Sequence, residues 1–171
     1  MVQDALEDIF GDYRYTTHEL SFIRSDPDPK FIPLRGWLNL IGLRYYVAPA
    51  NTKTTRAERG IRAIKELVRI ILESLTYIMP YKWIPNLVEE ATLILTLQFK
   101  SKLGMTPYEA FYNQEISFKE INKYRFGNII SYTNVTTSSS VFKPRVRYGA
   151  IIGRNISGNL LVENLDDKLS I

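Results

Sequence analysis

The chain has 171 residues, 45% hydrophobic and 23% charged, which supplies enough apolar surface for a packed domain. Cysteine is absent and His18 is the only histidine, which excludes disulfides, thiol nucleophiles and a Cys/His zinc cluster and leaves chemistry to carboxylates and hydroxyls. The net charge of +4 is a mild basic bias, compatible with a polyanionic partner without specifying one.

Residues 2–14 pattern as a helix, with Val2, Leu6, Ile9 and Phe10 on one face and acids opposite. This acidic start lacks the layout of a secretory signal. "ELSFIRS" (19–25) reads as a strand running into "DPDP". In "PKFIPLRGWLNLIGL" (29–43), Phe31, Leu34, Trp37, Leu38 and Ile41 fall near helical spacing, and Gly42 suits the stop. "RYYVAP" (44–49) predicts a second strand, ended by proline. After the polar loop "ANTKT" (50–54), a long helix is expected from Thr55 to Tyr77. Its apolar stripe is Ile61, Ile64, Leu67, Val68, Ile71, Leu72 and Leu75.

"MPYKWIP" (79–85) breaks that helix, and a largely buried one follows over 85–100, with Glu89 and Glu90 as its exposed strip. Its apolar run "ATLILTLQF" is far shorter than the roughly 20 residues of a membrane span. A soluble, intracellular protein is expected. "TPYEAFYNQ" (106–114) opens another helix at Thr-Pro. From Phe126 onward, "FGNIISYT", "RYGAIIGR" and "NLLVENL" read as short strands of a small β module. The order predicts an α/β layer followed by that module, although two strands are too few for a stable sheet.

Two acids stand out. Asp26 closes the first predicted strand, and Glu58 lies in the first turn of the long helix, 32 positions on. Converging carboxylates would suit Mg²⁺ or Mn²⁺. Equally, Asp26 suits a proline-rich turn, and Glu58 a helix start favoured by the dipole. On the long helix, Arg62, Lys65 and Arg69 lie within about 40° of Glu58, and Arg56 and Arg59 flank its start. Such a face would hold a phosphate backbone; the alternative is a solvated face, partly self-paired through Arg62–Glu66. Tyr45, Tyr46, Tyr77 and Tyr81 read as packing residues, and His18 as a surface residue.

Taken together, "RSDPDPKF", "WLNLIGLRYYVAPANTKTTRAERGIRAIKELVRIIL", "WIPNLVEEA", "GMTPYEAFYNQ" and "FGN" resemble, in order and spacing, the integrase core of retroelement polyproteins, nearest the copia type. "KPRVRYGAIIGRNISGNLLVENL" is similar to the β module that trails such cores. The resemblance implies a ribonuclease H-like core over 1–118 and a small SH3-like, barrel-like module over 119–171. It places Asp26 and Glu58 on the family's second and third metal-binding acids. It also places Arg62 and Lys65 where such cores meet DNA. The implied chemistry is DNA integration by two-metal phosphoryl transfer with Mg²⁺ or Mn²⁺. The implied partners are DNA and a homo-oligomer or the rest of the polyprotein, in the nucleus for a working integrase.

This sequence departs from the family at three points. The interval from Asp26 to Glu58 is shorter, Pro27 and Pro29 stiffen the turn, and the family's first aspartate belongs to a strand upstream of anything here. Asp4, Asp8 and Asp12 sit in the wrong element to replace it. The chain therefore reads as an N-terminally truncated core with an incomplete sheet, inactive alone. The alternatives are a non-catalytic nucleic-acid-binding remnant and a product with no activity. Two expectations follow for the fold and site: the strands at 20–25 and 44–49 are sheet neighbours, and Asp26 and Glu58 face one cleft. Lys143, Arg145 and Arg147 are the alternative binding surface if Arg62, Lys65 and Arg69 do not carry it.

Overall fold

The computed structural model describes residues 2–14, 16, 18–49, 55–98, 100, 104–115, 123–133 and 146–165. The fold is mixed α/β and divides into two compact units, residues 1–62 with 108–114 and residues 63–107 with 115–171. Among the described residues no helix is long and apolar enough to cross a membrane.

The first unit is organised by a parallel strand pair. It contains α1 (Val2–Arg14), β1 (Phe22–Ser25), α2 (Leu34–Leu40) and β2 (Arg44–Val47). β1 and β2 run parallel in the register Phe22↔Arg44 to Ser25↔Val47, so the expected sheet neighbours do pair. Parallel strands need a crossover, and α2 supplies it. The crossover helix stops where Gly42 takes φ +81°, a left-handed conformation that glycine adopts without a Cβ penalty. Leu34, Leu38 and Leu43 form the core, with Leu6, Phe10, Ile23, Trp37 and Tyr45 packed around it. α1 docks through Leu6 and Phe10, the latter stacked on Trp37 at 5.7 Å, while Ile9 stays 47% exposed. Ile41, expected on the buried face of α2, is also exposed because it follows the helix's last turn.

α3 (Thr55–Ser74) begins in the first unit and continues into the second. It ends three residues before the expected Tyr77. Val68 and Ile71 pack inward, but Ile61 and Leu72 are exposed, so the buried stripe is narrower than the apolar pattern. Beyond it, Tyr77 donates to the Gly127 carbonyl at 2.8 Å, and burial pushes its phenol above the usual tyrosine range.

α4 (Ile84–Gln98) and an antiparallel sheet in the order β3 (Ile129–Thr133), β4 (Val146–Arg154), β5 (Leu160–Asn164) share one core. Trp83 and Leu87 meet Phe126, Ala150 and Ile152 there. The compact unit holding the β strands includes α4 and begins at Ala63. Gly127 sits beneath this core at φ +83°, where an added Cβ would lie 2.3 Å from Leu75 Cδ2. The remaining helix, α5 (Pro107–Tyr112), belongs to the first unit from Tyr108 on, and its Phe111 meets Tyr13 edge-on at 4.7 Å.

Two carboxylates tie the α4 region to the sheet. Glu163 accepts from Trp83 Nε1 at 2.8 Å and pairs with Lys82. Glu90 pairs with Arg154 at 2.5 Å, with both side chains almost fully buried. This corrects the expectation that Glu89 and Glu90 together form an exposed strip: only Glu89 faces solvent. Glu90 lies one turn from Leu87 and beside Ala91, on the face that α4 presents to its core. Tyr81, expected to pack, is 86% exposed.

A buried pair is strongly destabilising to break yet close to neutral to replace whole. Glu90→Leu or Arg154→Met alone should therefore lower unfolding free energy by roughly 3–5 kcal/mol, whereas the two combined should recover most of it. Urea denaturation of the two single variants and the double variant checks this through the coupling energy.

Candidate functional site

Because β1 and β2 are parallel, their carboxyl ends lie at the same edge, the side of an open α/β sheet where ligands bind. Asp26 follows β1 there, and across from it Ala48 N–H donates to the Ser25 carbonyl at 2.8 Å. The turn after Asp26 is built from short-range hydrogen bonds. Asp28 N–H donates to the Asp26 carbonyl at 2.8 Å, and the Asp28 carboxylate caps a 3₁₀ turn (Pro29–Phe31) by accepting from Lys30 N–H at 2.9 Å. Asp28 is thus committed to capping. Asp26 is exposed.

Two hydroxyls brace this point. Ser25 Oγ donates to the Asp26 carbonyl at 2.9 Å and meets Tyr45 Oη at 2.5 Å. A serine hydroxyl has one proton, so the Tyr45 phenol is the donor in that second bond. The chain Tyr45–Ser25–Asp26 fixes the backbone on which the carboxylate is carried. Its signal in the sequence is faint, because both residues also suit ordinary strand positions.

Glu58 occupies the first turn of α3 and is exposed, as are Arg59, Arg62, Lys65 and Arg69. The helix includes Arg56, whose side chain lies outside the described residues. Glu66 pairs with Arg69 at 2.7 Å, not with Arg62 as the sequence pattern suggested. Of the alternative basic residues, Lys143 and Arg145 lie outside the described residues, while Arg147 is on β4 and half-buried. His18 is exposed, as expected, but is held: its Nε2–H donates to the Ala110 carbonyl at 3.0 Å and its ring stacks on Phe111.

A two-ion centre needs carboxylates that hold both cations and offset their repulsion. Among the described residues, no three Asp, Glu or His side chains gather into a group that could hold a metal ion. Asp26 and Glu58, both exposed, do not by themselves fit a two-ion centre, and no phosphoryl-transfer step is assigned to this chain. What its own groups offer is a carboxylate at the sheet edge and a basic helical side. No protein-family model matches the sequence, and no curated protein matches it significantly.

Asp28→Ala removes an N-cap and should reduce stability by about 1 kcal/mol, while Asp28→Asn should retain most of it. Thermal unfolding of the two variants checks the assignment of Asp28 to capping.

Proposed function

We propose that this chain derives from a retroelement-type integrase, with a ribonuclease H-like core and a small barrel-like β module. In this reading it binds nucleic-acid backbone through α3 and does not cut or join DNA unaided. One observation carries the proposal. A parallel strand pair with a right-placed acid at its carboxyl edge leads into a helix with Glu58 in its first turn and exposed Arg62, Lys65 and Arg69 along the same side. Phosphate contacts position a nucleic acid without reading its sequence, so binding is sequence-tolerant and salt-sensitive. Divalent cations, in this reading, belong to a fuller set of acids than Asp26 and Glu58. Among the described residues the β1–β2 sheet has two strands, and its edges favour association with a second copy or with another segment of the same polyprotein.

The Glu66 pairing ranks the basic residues. Arg69 must give up its carboxylate partner to meet a phosphate, so Arg62 and Lys65 contribute more. Arg62→Ala with Lys65→Ala should flatten the slope of log affinity against log salt by about two units on duplex DNA. Adding Arg69→Ala should change it by less than one unit more. Fluorescence anisotropy across a salt series measures both. An unchanged slope would move the binding surface elsewhere, for example to the neighbourhood of Arg147.

A further inference from the structure

The face of the β1–β2 pair that points away from Leu34 and Leu38 is not used by nucleic-acid binding through α3. Alternation along the strands assigns Ile23 and Tyr45 to the core and leaves Phe22, Arg24, Arg44 and Tyr46 on the opposite face. All four are exposed, Phe22 at 52% and Tyr46 at 48%. The register sets Phe22 beside Arg44 and Arg24 beside Tyr46, so aromatics occupy one diagonal and guanidinium groups the other. The two rings meet edge to face with centroids 5.6 Å apart, which confirms that they share a side.

Parallel sheets are almost always covered on both faces, so an open one points to a partner. A protein surface apolar enough to cover the rings would have to desolvate Arg24 and Arg44, at a cost of several kcal/mol per uncompensated charge. A single-stranded nucleic acid meets both demands at once: its bases have π-faces for the rings, and its phosphates take the guanidinium groups. The platform spans about 7 Å along the strands and about 5 Å across them, enough for one base and its flanking phosphates. Asp26 follows at the strand end, so the face carries two cations against one carboxylate.

We propose that the outer face of β1–β2 is a stacking platform for an unpaired base of single-stranded nucleic acid, with Phe22 and Tyr46 taking the base and Arg24 and Arg44 its phosphates. This rests on the sheet face alone and does not require the integrase reading.

The test uses the full chain and three labelled probes of equal length: oligothymidylate, an abasic strand and a duplex. Fluorescence anisotropy should show oligothymidylate bound on the order of tenfold more tightly than the abasic strand. Phe22→Ala with Tyr46→Ala should bring the two to equal affinity, whereas Tyr46→Phe should preserve the difference. Arg62→Ala with Lys65→Ala should lower all three affinities but keep the oligothymidylate-to-abasic ratio, which separates failure of the α3 reading from failure of this one. Equal affinity of the native chain for oligothymidylate and the abasic strand would overturn the proposal, whether or not the variants fold. So would a ratio that survives loss of both rings. Sedimentation showing a native dimer that the double-alanine variant loses would assign the face to a second copy instead.

Discussion

The amino-terminal unit depends on one short parallel ladder, Phe22–Ser25 against Arg44–Val47. A parallel pair cannot close with a tight turn, so residues 26–43 must leave the sheet edge, cross over as α2 and return. That crossover buries Leu34, Leu38 and Leu43 against Ile23 and Tyr45, which fixes which side of the ladder is core. Everything of functional interest in the unit follows. Asp26 has to fall at the carboxyl edge, Ser25 and Tyr45 have to meet behind it, and the remaining side chains have to share the outer face.

The second unit solves a different problem. Its three-stranded sheet and α4 enclose one core, and the chain enters it through positions that accept few substitutes. Gly127 combines a positive φ with a close approach by Leu75, so both backbone conformation and space demand glycine. Glu90 and Arg154 cross that core as a buried ion pair. Such pairs add little net stability but oppose any packing that separates the charges. Glu163 adds a second link through Trp83. A helix that is apolar on most sides can slide against a sheet, and these two anchors fix its register.

The order of elements was legible because hydrophobic period and punctuation agree: Gly42 ends α2, and Thr106-Pro107 opens α5. Strand lengths were less so. "ELSFIRS" looks strand-like from Glu19, yet the ladder begins at Phe22, because its partner becomes available only after Leu43 is buried in the core. α3 stops short because Leu75 and Tyr77 are engaged with Gly127, a contact about 50 positions distant that no local pattern contains. The burial of Glu90 was not legible: its charge argued for solvent, and the partner that keeps it buried lies on β4. The positions of Asp26 and Glu58 at a strand end and a helix start were read from sequence. So was the exposed basic side of α3. The aromatic and arginine diagonals were present as alternation in "FIRS" and "RYYV", but only the parallel register shows that they meet.

Both proposed surfaces take nucleic acid as their partner, and both lie away from β3–β5 in the sequence. The most direct measurement is backbone amide chemical-shift mapping of the isotope-labelled chain titrated with an oligothymidylate strand at low salt. The account predicts perturbations concentrated at residues 22–26 and 44–47 and along the exposed side of α3 from Glu58 to Arg69. Perturbations confined to residues 146–165, or none at concentrations that saturate the anisotropy signal, would contradict it.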